Sequence, residues 1–246
     1  MTRPTRRCCA GYSAAGHFEK KPLSMNHRTR IKICGLTRDD DVTAAIAAGA
    51  DAIGLVFYPP SPRHVTAAQA AMLLRHVPPF ITTVGLFVNA TVAEVQQVLR
   101  VTPLSLLQFH GDETPGQCAE IAAAVNRPYL RALRVGAQTI AEDLLECEQS
   151  YRATGALYSG LLLDTLADAY GGTGKVFDWS LIPEELAPRV VLSGGLSAHN
   201  ATDAVVRVRP FAVDVSSGVE VAKGIKDAAA IHRFIAAVRL ADTMPA

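Results

Sequence analysis

Two side chains stand where chemistry could begin. Cys34 closes the short apolar run Ile31-Lys32-Ile33-Cys34, and Asp164 closes another, Leu161-Leu162-Leu163-Asp164. A thiol can act as base or nucleophile where something stabilises its thiolate, and a carboxyl can act as general acid. Spacing alone leaves other readings open. A cysteine after an apolar run is commonly a small buried hydrophobe, and an aspartate there can cap the next loop. Arg63 follows three prolines in Pro59-Pro60-Ser61-Pro62-Arg63-His64. Those rings stiffen the loop, and a guanidinium held in this way suits bidentate binding of a carboxylate. Gln108 and His110 flank Phe109, so strand alternation puts them on one face, and Asp214 sits inside an apolar run. All three are candidates for contact with a substrate, or for internal hydrogen bonding.

A second chemistry is written in glycine. Gly171-Gly172-Thr173-Gly174, Ser193-Gly194-Gly195-Leu196 and Ser216-Ser217-Gly218-Val219 are three small-residue turns in the second half of the chain. Glycine lets backbone N–H groups approach an anion, and a following helix adds a favourable dipole. Gly172, Gly174, Gly194, Gly195, Ser216, Ser217 and Gly218 are therefore the candidate phosphate-binding residues. Any one such turn could be an ordinary connection; three together point to a phosphorylated small molecule. No G-x-x-x-x-G-K-[ST] segment occurs, which argues against a nucleotide P-loop.

These groups need elements to carry them. Eight short apolar runs follow residue 30: Ile31–Cys34, Ala52–Phe57, Ile81–Val88, Leu104–Phe109, Tyr129–Leu133, Ala156–Asp164, Val190–Leu192 and Phe211–Val215. They suit parallel strands buried on both faces. The stretches between them begin like helices. Thr37, Thr66, Thr91 and Thr114 each precede by three residues an Asp40, Gln69, Glu94 or Gln117, the capping-box spacing. Pro115 suits a first helical position, and Gly49 is placed to end the first helix. Ile231, Phe234, Ile235 and Val238 give the last helix its apolar face.

Eight strands alternating with about eight helices predict an α/β fold, a closed (β/α)8 barrel. The candidate residues follow strands one, two, four, six, seven and eight. A barrel gathers all of those ends around one mouth, whereas an open sheet would concentrate them at one switch point. Loops after strands seven and eight are the recurrent phosphate site of such barrels. Strands one and six lie well apart around the mouth, so Cys34 and Asp164 would flank a bound sugar from opposite sides.

The bulk properties bound the rest. The chain has 246 residues, 49% hydrophobic and 6% aromatic, with no composition break between residues 31 and 240. One barrel domain over 31–240 is expected, with a short tail at 241–246. Residues 1–30 hold seven basic residues and one acidic, leaving 17 basic against 22 acidic residues, a net −5, in the remainder. They read as a disordered or non-native-start extension, with Met25 as an alternative start. A mildly acidic domain has no general attraction to nucleic acid. No apolar run approaches the roughly 20 residues of a membrane span. Five cysteines without a C-x-x-C suggest neither a disulfide framework nor a zinc site, and hence a reducing, cytoplasmic setting. No metal ligand set is assigned, and the state is expected to be monomer or homodimer.

The ordered segments Ile31-Lys32-Ile33-Cys34-Gly35, Ser61-Pro62-Arg63, Gln108-Phe109-His110-Gly111, Leu163-Asp164, Gly171-Gly172-Thr173-Gly174, Leu192-Ser193-Gly194-Gly195-Leu196 and Val213-Asp214-Val215-Ser216-Ser217-Gly218-Val219-Glu220 resemble the phosphoribosylanthranilate isomerases of tryptophan biosynthesis. Gly224-Ile225-Lys226-Asp227, opening the last helix, fits as well. The resemblance runs from about residue 31 to 240. It implies an Amadori rearrangement, with Asp164 as general acid, Cys34 as general base and Arg63 on the anthranilate carboxylate. It also implies no cofactor, because the Schiff base formed on the substrate is itself the electron sink. Two neighbours remain in view. The histidine-pathway isomerase of the same chemistry looks to use Asp where Cys34 stands. Indole-3-glycerol phosphate synthase would need a catalytic Lys and Glu set that Lys32 alone does not supply. A non-catalytic phosphate-binding barrel would need neither Cys34 nor Asp164.

Overall fold

The computed structural model describes residues 28–166 and 176–245. Eight parallel strands close on themselves in chain order: β1 (Arg30–Cys34), β2 (Ala52–Val56), β3 (Thr82–Phe87), β4 (Leu106–Phe109), β5 (Tyr129–Val135), β6 (Tyr158–Thr165), β7 (Val191–Leu192) and β8 (Ala212–Val215). Each begins within a few residues of the apolar run expected for it. Closure is made by β1 and β8, whose register sets Arg30 against Ala212, Lys32 against Asp214 and Ile33 against Val215.

Seven α-helices surround the barrel among the described residues: α1 (Asp39–Ala47), α2 (Ala67–Leu73), α3 (Val92–Leu99), α4 (Pro115–Val125), α5 (Ala141–Arg152), α6 (Ala201–Val208) and α7 (Ala228–Asp242). About eight were expected. Between β6 and β7 the described chain forms two 3₁₀ turns, Trp179–Leu181 and Ala187–Arg189, in place of a regular helix. Among the described residues, no helix is long and apolar enough to cross a membrane.

Thr66, Thr91 and Thr114 form the expected capping boxes with Gln69, Glu94 and Gln117. Pro115 occupies the first turn of α4, and Gly49, at φ +94°, lies just past the end of α1. Thr37 departs from expectation. The N-cap of α1 is Arg38, and the Thr37 hydroxyl donates instead to the Gly224 carbonyl at 2.6 Å. A long-range partner has displaced the local one. The positive end of α1 is served by Asp39, Asp40 and Asp41 in its first turn.

The apolar core has two parts. The larger joins outward strand residues such as Ile31, Ile33 and Leu55 to the helices, including Ile231, Phe234, Ile235 and Val238 of α7. Burying such a side chain stabilises the fold by roughly 1.5–3 kcal/mol. The smaller part, Leu130, Ala132, Leu162, Val191 and Ala212, comes from β5 to β8. Two residues further along both β8 and β6 the character turns polar, with Asp214 and Asp164.

A buried ion pair fixes the loop after β4. Glu113 accepts from Arg131 of β5 at 2.9 Å and from the backbone N–H groups of Gly111 and Asn89 at 2.9 and 2.6 Å. Arg131 donates in turn to the Phe109 and Gly111 carbonyls. Removing one member of a buried pair leaves the other uncompensated. Arg131→Met is therefore expected to cost about 3–5 kcal/mol in urea unfolding. Arg207→Ala, which breaks the exposed pair with Asp203 on α6, should cost about 0.3–0.5 kcal/mol. Equal losses would contradict the role given to the buried pair.

Candidate active site

The site is built on inward-facing strand ends. Cys34 is the last residue of β1, buried at 5% exposure, and it pairs in register with Gly54 of β2. Its thiol is pushed up by burial, against which the nearby Lys32 charge acts downward. Lys32 lies two residues earlier on the same face, with Nζ 2.9 Å from Asp214 Oδ1. Burial works against its charge, but Asp214 and then Cys34 outweigh that, and the ammonium is held above its ordinary value.

Asp164, on β6, faces the same cavity. Its Oδ2 lies 3.1 Å from His110 Nε2, and its Oδ1 accepts the Thr165 N–H at 3.0 Å. Gln108 Nε2 stands 3.0 Å from His110 Nδ1. The Gln108 amide thus faces one ring nitrogen of His110 while the other faces Asp164. The Gln108 carbonyl oxygen is buried without a partner among the described residues.

Arg63 reaches the cavity from the loop after β2. Its Nε and Nη2 hold the two oxygens of Glu220 at 2.8 Å each. Glu220 opens a small hairpin, β9 (Glu220–Ala222) with β10 (Ile225–Lys226), and also pairs with Lys226 Nζ at 2.8 Å. Lys226 donates onward to the Ser216 carbonyl at 3.1 Å. Burial would raise the Glu220 carboxyl, but the pairs with Arg63 and Lys226 prevail and hold it below its ordinary value. The edge of Arg63 formed by Nη1 and Nη2 is not spent on Glu220 and is the one left for a ligand.

The two glycine loops that the structure describes lie side by side. Gly194 and Gly195 take φ +85° and +66° after β7. Ser217–Val219 forms a 3₁₀ turn after β8. A Cβ added at Gly218 would overlap the Leu196 carbonyl oxygen, so these loops are packed too closely for any larger residue. One cavity is lined by Cys34, Arg63, Gln108, His110, Asp164, Gly194, Gly195, Asp214, Ser216 and Ser217. Gly172 and Gly174 lie outside the described residues. Asp214 reaches the cavity but is bound to Lys32, so its polar demand is met internally. Sequence reasoning missed Lys32, Glu220 and Lys226 as members of the site. Their charges stood inside quoted motifs, but their pairing depends on strand register and on a hairpin that the pattern did not reveal.

Comparison with known proteins now decides the family. The family model described as N-(5'phosphoribosyl)anthranilate (PRA) isomerase matches residues 31–237. The chain belongs to the phosphoribosylanthranilate isomerase family. An N-(5'-phosphoribosyl)anthranilate isomerase of Herminiimonas arsenicoxydans is 67% identical over 219 residues, covering 89% of this chain and 96% of the relative. The crystal structure of phosphoribosyl anthranilate isomerase from Thermotoga maritima superposes with a TM-score of 0.75 at 40% identity, covering 86% of this chain and 98% of that one. Another structure of this isomerase, in complex with reduced 1-(o-carboxyphenylamino)-1-deoxyribulose 5-phosphate, matches at a TM-score of 0.72 and 37% identity, with 86% and 98% covered.

The Glu220 pairs carry a pH signature. A carboxyl whose folded value is depressed contributes stability above its unfolded value and loses it as pH falls through the folded one. The stability difference between the parent protein and Glu220→Gln should be full at pH 7. It should shrink as pH falls below about 4.3, the unfolded glutamate value, and through the lower folded one. Urea midpoints across that range check this, and a pH-independent difference would contradict it.

Proposed function

We propose that this barrel converts N-(5-phosphoribosyl)anthranilate to 1-(2-carboxyphenylamino)-1-deoxyribulose 5-phosphate, with Asp164 as general acid and Cys34 as general base. The observation that carries the residue roles is the shared cavity. A carboxyl from β6 and a thiol from β1, strands that are not neighbours in the barrel, both line it. The family supports the reaction, and the relative crystallised with the reduced product supports the ligand class.

The steps follow from the groups present. Asp164 gives its proton to the furanose ring oxygen as the C1–O bond breaks, leaving a protonated Schiff base between C1 and the anthranilate nitrogen. Cys34, as thiolate, takes the proton from C2. The C2–H electron pair becomes the C1–C2 double bond, and the iminium electrons return to nitrogen. The enolamine then gains a proton at C1 and loses its hydroxyl proton, yielding the ketone at C2. Arg63 offers its Nη1/Nη2 edge to the anthranilate carboxylate. The glycine loops at 194–195 and 216–218 offer backbone N–H groups to the phosphate. Gln108 and His110 orient Asp164 from β4 and its loop.

Holding the substrate at both ends contributes through orientation, for which effective molarities reach about 10⁵–10⁸ M. Each proton transfer adds roughly 10²–10⁴-fold. Asp164→Asn and Cys34→Ser should therefore each lower kcat by about 10²–10⁴-fold while the reduced product analogue still binds. Turnover is followed through loss of the substrate's anthranilate fluorescence, and binding by calorimetry. Wild-type kcat in either variant would remove that residue's role. A folded parent protein that binds the phosphosugar without turnover would favour a non-catalytic barrel.

A further inference from the structure

Lys32 takes no part in the steps above, yet it is charged and only 4% exposed inside the barrel. The alternation of β1 turns Lys32 and Cys34 to the same inner face. On one side the register with β8 sets Lys32 opposite Asp214, and the two side chains meet at 2.9 Å. On the other, the register with β2 sets Cys34 opposite Gly54. A Cβ on Gly54 would lie 2.8 Å from the Cys34 sulfur and 3.1 Å from Lys32 Nζ. The two side chains thus converge over a position that has none, which brings the ammonium and the sulfur to the same spot on the inner wall.

We propose that Lys32 is the positioning residue of the base: anchored by Asp214 and given room by Gly54, it holds a positive charge against the Cys34 sulfur. The proposal rests on the reading of Cys34 as base. A buried thiol resists ionisation unless a cation stands beside the anion that forms. The charged groups facing Cys34 are Lys32 from β1, Asp214 from β8, Lys226 from β10 and Arg63 from the loop after β2. Lys226 and Arg63 are both bound to Glu220, whereas Lys32 stands on the same strand face as Cys34 and its charge is the foremost one favouring the thiolate. Asp214 keeps the lysine ionised both before and after the thiolate takes its proton. Any net attraction is tempered by Asp214, whose negative charge disfavours the thiolate.

The rate of Cys34 alkylation by iodoacetamide, read on the Cys34 peptide by mass spectrometry, reports the thiolate directly and needs no turnover. In the full chain, Lys32→Met should lower that rate at pH 8 at least tenfold and move its pH midpoint upward by a unit or more. Lys32→Met with Asp214→Leu removes the acid that the single change leaves unpaired. It therefore serves where the single variant does not fold, and the same direction of change is expected. A wild-type alkylation profile in either folded variant overturns the proposal and leaves Lys32 as a tie between β1 and β8. The two readings fail separately. Wild-type turnover in Cys34→Ser removes the base, while the alkylation profile still reports what Lys32 does to the thiol.

Discussion

The closure of β1 against β8 is the constraint on which the site depends. It places a lysine and an aspartate side by side inside the barrel, 2.9 Å apart. Two such charges are tolerated in that setting only as a pair, because breaking a buried pair by removing one partner costs about 3–5 kcal/mol. The register that joins them is also the one that aims Cys34 into the mouth, two residues on along the same face. A slip of one residue would turn both Lys32 and Cys34 outward into the helical shell. The seam of the barrel and the orientation of the proposed base are therefore one arrangement.

A second network ties the rim together. Arg63 comes from the loop after β2, Glu220 and Lys226 from the hairpin after β8, and Ser216 from the loop that precedes the hairpin. Glu220 stands between two cations and fixes both. Arg63, which lines the cavity, is thereby held with one edge occupied by Glu220, so little side-chain freedom remains to be lost when a carboxylate arrives. The Thr37 hydroxyl on the Gly224 carbonyl adds a tie from the loop after β1 to the same hairpin. Three loops, after β1, β2 and β8, are thus locked before any ligand is present. The opposite wall is organised differently, by the hydrogen-bonded chain Gln108–His110–Asp164. A charged clamp on one side and a chain of groups able to pass a proton on the other suit a ligand that is anionic at its ends and changes protonation in its middle.

Much of this was legible in the sequence, for reasons that also explain the gaps. Parallel strands buried on both faces read as plain apolar runs, so β1 to β8 stood out. Thr66, Thr91 and Thr114 cap their helices through bonds spanning three residues, which a local pattern records. Thr37 has the same local pattern, but a carbonyl 187 residues away takes its hydroxyl. The segment between β6 and β7 was expected to be helical and is, where described, two 3₁₀ turns. Cys34, Asp164, Arg63, Gln108, His110 and Asp214 were all legible as candidates, because polar groups at the ends of apolar strands need a reason to be there. Their partners were not. Lys32 reads as an ordinary strand lysine until register places it against Asp214, and Glu220 and Lys226 acquire meaning only once the β9–β10 hairpin folds over Arg63.

The central claim is that Cys34 and Asp164 act on one ligand from opposite walls of the mouth. A crystal structure of this protein with the reduced product, 1-(2-carboxyphenylamino)-1-deoxyribulose 5-phosphate in its reduced form, tests it most directly. The account predicts the phosphate on the 194–195 and 216–218 loops, the anthranilate carboxylate on Arg63, the Cys34 sulfur against C2 and the Asp164 carboxyl against the oxygen on C4. A bound sugar that leaves either Cys34 or Asp164 out of contact with those atoms would contradict it.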